Sequence, residues 1–146
     1  MKTINTTILI DAPVATVWKI LMDQQAYPQW NPFIKQLQGD LTTGKTIEAT
    51  IQPPGQKAMR FTPRVKVNQA EKEFRWLGHL FIPGIFDGEH YFLLEDTGGG
   101  QTKFTHGEQF SGLLSGIILK MIGDNTKAGF IAMNEAIKAR AENKES

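Results

Sequence analysis

The chain has 146 residues, 40% of them hydrophobic, which is the size and composition of one domain with one core over residues 1–146. Sixteen basic and fifteen acidic residues give a formal charge of +1, so nothing in the charge indicates nucleic-acid binding. The absence of cysteine excludes disulfides, thiolate nucleophiles and cysteine-ligated metals. Neither a signal peptide nor an apolar run of about 18 residues is visible. We therefore expect a cytoplasmic protein without stable membrane insertion.

The N-terminal third predicts one strand and two short helices. Residues 3–10 are rich in β-branched side chains, and the three isoleucines share one parity, which favours a half-buried strand. Asp11 is a candidate N-cap for a helix whose apolar stripe extends from Val14 to Leu21. A second short helix or turn is expected over residues 24–30.

The middle of the chain, from Ile34 to Phe110, alternates short apolar segments with turn signals rich in Gly and Pro. This pattern predicts an antiparallel meander rather than parallel strands joined by helices. With the first strand, about seven strands are expected. The six predicted here are Ile34–Gln38, Thr46–Ile51, Ala58–Val67, Glu73–Leu80, Phe86–Glu95 and Thr102–Phe110.

Two predicted hairpins define a register, because directly opposed residues share one face of a sheet. A hairpin centred on Gly99 sets His90 opposite Glu108. A hairpin centred on Pro83 sets Trp76 opposite His90. The two registers agree and give one inner face with apolar and ionisable residues, namely Phe74, Trp76, His90, Phe92, Leu94, Phe104, His106, Glu108 and Phe110.

The C-terminal segment has apolar residues at helical spacing, first from Leu113 to Ile122 and again from Phe130 to Ala141. A helix over residues 115–142 would extend roughly 40 Å at about 1.5 Å per residue. We expect the two apolar runs to share one broad face, with a kink near Gly123. Residues 139–146 are mostly charged or polar and predict a fraying tail.

Four segments carry a resemblance to a known family: residues 10–18, the run Trp30-Asn31-Pro32-Phe33, the triplet Gly88-Glu89-His90 and the closing residues 130–138. Together with the order of the elements, they resemble the START-related superfamily, also called SRPBCC or polyketide cyclase/dehydrase and lipid-transport proteins. The small bacterial members are the most similar. The resemblance covers the whole chain and implies an α+β helix-grip fold. In that fold a curved antiparallel sheet wraps around a long C-terminal helix and leaves an apolar cavity.

Members of this family bind lipids, polyketides, sterols or other hydrophobic molecules, and some are enzymes. The resemblance therefore implies a small hydrophobic or amphipathic ligand. We further expect no cofactor, and a monomeric or homodimeric protein. One alternative is a cyclase or dehydratase, a lyase in which His90 and Glu108 act as acid and base. Another alternative is a protein-interaction module with a filled core. The fold alone does not choose between them.

Combining the inner face with the expected cavity gives a set of candidate ligand-binding residues. They are Phe61, Phe74, Trp76, His90, Phe92, Phe104, His106, Glu108, Ile118 and Met121. Residues 27–33, which contain two prolines, form a predicted aromatic loop. Its Trp30 and Phe33 are candidates for the cavity entrance, although they also suit a hydrophobic plug under a loop.

Glu108 is the residue on this face that most requires an explanation, because a carboxylate on an apolar surface is costly unless it is paired. His90 and Glu108 can satisfy each other, orient the polar end of a ligand, or exchange protons with a substrate. A zinc site built from His90, His106 and Glu108 is disfavoured, because no ligand-spacing motif supports it.

Overall fold

A computed structural model describes residues 2–80 and 82–143, which form an α+β structure in a helix-grip arrangement. The strands are β1 (Lys2–Ile10), β2 (Ile34–Gln38), β3 (Glu48–Ile51), β4 (Met59–Phe61), β5 (Arg64–Gln69), β6 (Glu73–Leu80), β7 (Phe86–Gly98) and β8 (Gln101–Ser111). The helices are α1 (Val14–Met22), α2 (Tyr27–Trp30) and α3 (Ser115–Glu142), with a 3₁₀ turn at Gln24–Ala26. The helix α3 packs across β1, β7 and β8.

The strands form two antiparallel sheets rather than the single sheet expected from the sequence. One sheet has the order β1-β8-β7-β6-β5, and the other has the order β2-β3-β4. The predicted strand over residues 58–67 is divided between them, because Pro63 has no N–H to donate to a ladder. Hydrogen bonds from residues 44–47 to residues 63–65 still join the two sheets at this break.

The register of the two hairpins is confirmed. Trp76 pairs with His90 across β6 and β7, and His90 pairs with Glu108 across β7 and β8. The inner face is accordingly buried. Phe74, Phe92 and Phe104 have no exposed surface, and Trp76 is 3% exposed.

The helix α3 is continuous from Ser115 to Glu142, but most of its first apolar run, with the exception of Ile122, lies away from the face of the second run. Met121 precedes Phe130 by nine residues, which is about two and a half turns of an α-helix. The two side chains therefore point in opposite directions: Phe130 is fully buried, and Met121 is 77% exposed. The inner stripe consists of Thr126, Gly129, Phe130, Met133, Asn134 and Ile137.

The end of α3 is attached to the start of the chain. The Glu142 carboxylate accepts hydrogen bonds from the Asp11 backbone N–H at 2.7 Å and from Lys138 Nζ at 2.6 Å. Residues 139–142 of the predicted tail are thus helical, and residues 144–146 lie outside the described residues. Asp11 does not cap α1, whose N-cap is Pro13.

Gly129 is where the aromatic loop meets α3, because a Cβ at this position would overlap the Phe33 ring. Gly129→Ala should therefore destabilise the protein by overpacking, which typically costs about 1–3 kcal/mol. Gly123→Ala is the matched control, because a Cβ at Gly123 meets nothing within 4 Å. Both substitutions raise helix propensity by the same amount, so this effect cancels when the free energies of unfolding of the two variants are compared. Urea unfolding measures that difference, and equal stability of the two variants would contradict this packing.

Candidate ligand site

A cavity of about 130 Å³ lies where both sheets face the first half of α3. Its walls are mostly apolar and aromatic. Its lining residues are Phe33, Ile51, Pro53, Met59, Phe61, Pro63, Trp76, Gly78, His79, Leu80, Phe86, Gly88, Glu108, Phe110, Ile122 and Thr126. The core is therefore not completely filled.

The structure places the candidate residues in three groups. Phe61, Trp76 and Glu108 line the cavity. The side chains of Phe74, His90, Phe92, Phe104 and His106 are buried in the core behind the cavity wall. Ile118 and Met121 are not among the lining residues; α3 contributes Ile122 and Thr126 instead, because the helix is rotated relative to the expectation.

The aromatic loop does not form the entrance. Phe33 is 2% exposed and packs edge-on against Phe130, with ring centroids 5.4 Å apart, so it belongs to the inner wall. Trp30 does not line the cavity. Met59, on the short strand β4, lines the cavity and is also 48% exposed, so the cavity reaches the protein surface beside this side chain; we call this the open side.

Gly88 makes room for the Glu108 side chain. The two residues lie on β7 and β8, and a Cβ at Gly88 would overlap Glu108 Oε2. The other carboxylate oxygen, Oε1, is 3.3 Å from His90 Nδ1. The two carboxylate oxygens of Glu108 therefore have different surroundings: Oε1 is directed at the buried His90, and Oε2 lies over Gly88 in the cavity wall.

Behind Glu108, the two histidines contact each other directly. The Nε2 atoms of His90 and His106 are 2.7 Å apart, a hydrogen-bond distance, and both rings are almost fully buried. Trp76 stacks on His90 with centroids 5.0 Å apart, and Phe130 stacks on His106 with centroids 4.1 Å apart. The rings are thus held in position by aromatic neighbours.

The direction of the hydrogen bonds can be worked out from Thr6. Its hydroxyl donates to the His106 carbonyl oxygen at 2.7 Å, so its oxygen accepts the 2.8 Å bond from Asn134 Nδ2. Asn134 Oδ1 is then the atom 3.0 Å from His106 Nδ1, and this nitrogen must carry a proton.

The proton on His106 Nδ1 determines the direction of the hydrogen bond between the two histidines. Burial, followed by repulsion from His90, holds the pKa of His106 well below its ordinary value, so His106 is neutral. Its Nε2 therefore accepts, and His90 Nε2 donates. His90 Nδ1 lies 3.3 Å from Glu108 Oε1, so a proton held by either atom would lie between them.

Within residues 2–80 and 82–143, no three His, Cys, Asp or Glu side chains are grouped so as to hold a metal ion. The same residues include no helix long and apolar enough to cross a membrane.

The fold and the family agree with what the sequence predicts. The structure resembles an aromatase/cyclase, Zhui from Streptomyces sp. R1128, with a TM-score of 0.79 and 14% identity over 99% of this chain and 96% of that one. It also resembles a START superfamily protein from Mycobacterium smegmatis, with a TM-score of 0.70 and 20% identity over 96% and 97% of the two chains. These likenesses establish a START-related fold.

The particular family is shown by the sequence. A family model described as polyketide cyclase / dehydrase and lipid transport matches residues 1–142, so the chain belongs to that family. Norcoclaurine synthase from Thalictrum flavum, in complex with dopamine and hydroxybenzaldehyde, is a further structural neighbour, with a TM-score of 0.74 and 15% identity over 99% and 88% of the chains. No curated protein matches the chain significantly.

Sequence reasoning missed Thr6 and Asn134, although a signal was present for each. Thr6 has the same parity as the isoleucines of β1, and Asn134 follows Phe130 by four residues on the inner stripe of α3. A polar residue at such a position is buried and requires a hydrogen-bond partner. Both residues meet that requirement in the chain that leads to His90.

We expect His106 to make stability depend on pH. The pKa of His106 is lowered in the folded state, so below about pH 6.5 the unfolded chain binds a proton more readily than the folded chain. The free energy of unfolding that His106 contributes is therefore present above about pH 6.5 and is lost as pH falls. The loss should approach about 1.4 kcal/mol per pH unit below that value. Urea unfolding between pH 7.5 and 5 measures it, and ¹⁵N NMR should show His106 as the neutral Nδ1–H tautomer.

His79→Gln is the control, because it removes an exposed histidine paired with Asp87 on the outer face and leaves the buried chain intact. The variant should keep the pH dependence of the parent, whereas His106→Gln should reduce it. An Nε2–H tautomer for His106 would contradict the hydrogen-bond direction given above.

Proposed function

We propose that this protein binds a small hydrophobic or amphipathic molecule in the cavity between its sheets and α3. The observation that carries the proposal is an apolar cavity of about 130 Å³ with a carboxylate, Glu108, in its wall. Ligand sites are typically concave and apolar with a few polar groups that fix orientation. The norcoclaurine synthase neighbour holds small aromatic molecules in the same fold, which supports the proposal.

The cavity limits the part of the ligand that is enclosed. An engineered apolar protein cavity of about 150 Å³ accommodates benzene, so about one ring fits here. A longer molecule, such as a lipid, would extend past Met59 at the open side. The cytoplasmic location and the monomeric or homodimeric state expected from the sequence stay predictions.

A methyl group added inside the cavity tests the proposal. Gly78 lines the cavity, and its added Cβ would make an ordinary 3.6 Å contact with Pro63, so Gly78→Ala should fold normally. An environment-sensitive hydrophobic dye should bind the parent saturably. We expect Gly78→Ala to weaken binding about tenfold, because one methylene in an apolar pocket typically counts for that much or more.

Gly123→Ala is again the control, because Gly123 has open space around its Cα and does not line the cavity. Native mass spectrometry of freshly purified protein should in addition reveal a copurified small molecule. No saturable dye binding, or equal weakening by both variants, would refute binding in this cavity.

A second candidate function is proton-transfer catalysis of the cyclase or dehydratase type. The ion pair of His90 and Glu108 favours it, because Glu108 lies in the cavity wall and the two side chains are types that can give and accept a proton. The aromatase/cyclase neighbour supports the same candidate. We place it second, because the described cavity walls contain no Lys or Arg that could stabilise negative charge in a transition state.

Glu108→Gln distinguishes binding from catalysis. If Glu108 only orients the ligand, affinity should change by no more than a hydrogen bond to a charged group, about 1.5–3 kcal/mol. If it transfers protons, turnover of an identified substrate should fall by roughly 10²–10⁴-fold while binding is retained. We expect the modest effect on binding, and a large loss of turnover at unchanged affinity would instead establish an enzyme.

A further inference from the structure

The polar end of the ligand can be inferred from the free oxygen of Glu108. Oε1 is directed at His90 Nδ1, whereas Oε2 lies over Gly88. No donor of residues 2–80 or 82–143 pairs with Oε2. Since Glu108 and Gly88 both line the cavity, Oε2 is an unpaired acceptor that a bound molecule can meet.

Glu108 Oε2 accepts hydrogen bonds whether His90 Nδ1 or Glu108 Oε1 holds a proton between them. With the proton on His90, Glu108 is a carboxylate, and both of its oxygens accept. With the proton on Oε1, Oε2 is a carbonyl oxygen, which also accepts. The acceptor character therefore does not depend on which residue of the pair holds the proton.

The rest of the cavity wall has no cation that could pair with an anionic group of a ligand. Among the described lining residues there is no Lys or Arg, and the ionisable ones are Glu108 and His79. His79 Nδ1 is already 2.7 Å from Asp87 Oδ1 on the outer face. A carboxylate or phosphate in the cavity would thus be buried beside an acceptor and without a cation, which is strongly unfavourable.

We propose that the ligand is neutral and has an apolar body of about one ring with a hydroxyl group that donates to Glu108 Oε2. This inference rests on the proposed binding function and narrows it. It selects alcohols and phenols over apolar hydrocarbons, and it excludes fatty acids and phosphate esters from the inner end of the cavity.

Three para-substituted toluenes of similar size provide the test. They are p-cresol, p-xylene and p-toluate, which present a hydroxyl, a methyl and a carboxylate. Their dissociation constants are measured by titration of the parent protein, of Glu108→Met and of Glu108→Gln. Gly88 leaves room for either side chain at position 108.

The ratio of the p-xylene to the p-cresol dissociation constant reports the hydroxyl contact. The two probes differ in hydrophobicity by the same amount in every variant, so this difference cancels when the ratio is compared between variants. We expect this ratio to fall about tenfold or more in Glu108→Met, which has no acceptor oxygen. In Glu108→Gln it should be largely retained, because the amide N–H can donate to His90 while its oxygen still accepts. In the parent, p-toluate should bind more weakly than p-cresol.

The outcomes separate this inference from the binding function. If p-xylene and p-cresol bind saturably but their ratio is unchanged in Glu108→Met, the cavity is a binding site and the hydroxyl assignment is wrong. Tighter binding of p-toluate than of p-cresol to the parent also overturns the assignment, even if Glu108→Met does not fold. If neither these probes nor the dye bind, both proposals fall.

Discussion

The buried hydrogen-bond chain from Thr6 to His90, whose ring lies beside Glu108, is the constraint on which the site depends. It connects β1, α3, β8 and β7, and each buried polar group in it must find a partner or lose the free energy of its hydration. Thr6 and Asn134 fix the tautomer of His106, and His106 in turn fixes the proton of His90. The orientation of the His90 ring beside Glu108 therefore depends on residues on the far side of the core.

Packing around this chain explains why the two ends of α3 differ. The second half of the helix lies on the sheet, where Gly129 lets the Phe33 ring approach and Phe130 stacks on His106. In the first half, Ile122 and Thr126 face a space that the sheet does not fill. The cavity is the part of the interface between helix and sheets that side chains leave open.

A carboxylate at the border between core and cavity suits a role in recognition. It is 17% exposed, is held by a buried histidine and has one oxygen over the cavity wall. The family description names cyclases, dehydrases and lipid transport, and thus covers both catalysis and ligand carriage. Catalysis requires a bound molecule with a proton to transfer, whereas carriage requires only a group that the protein can hydrogen-bond.

The sequence by itself determined the order of the elements, the pairing of β6, β7 and β8, the bounds of α3 and the presence of His90 and Glu108 on one inner face. These features follow from periodicity and turn residues, which are local. Only the tertiary structure decided that Met121 faces outward, that Phe33 is an inner wall and that Thr6 and Asn134 complete the polar chain. The reason is that a strand has only two faces and a turn fixes which residues oppose each other. The rotation of a helix against a sheet instead depends on contacts between residues more than a hundred positions apart, such as Thr6 and Asn134.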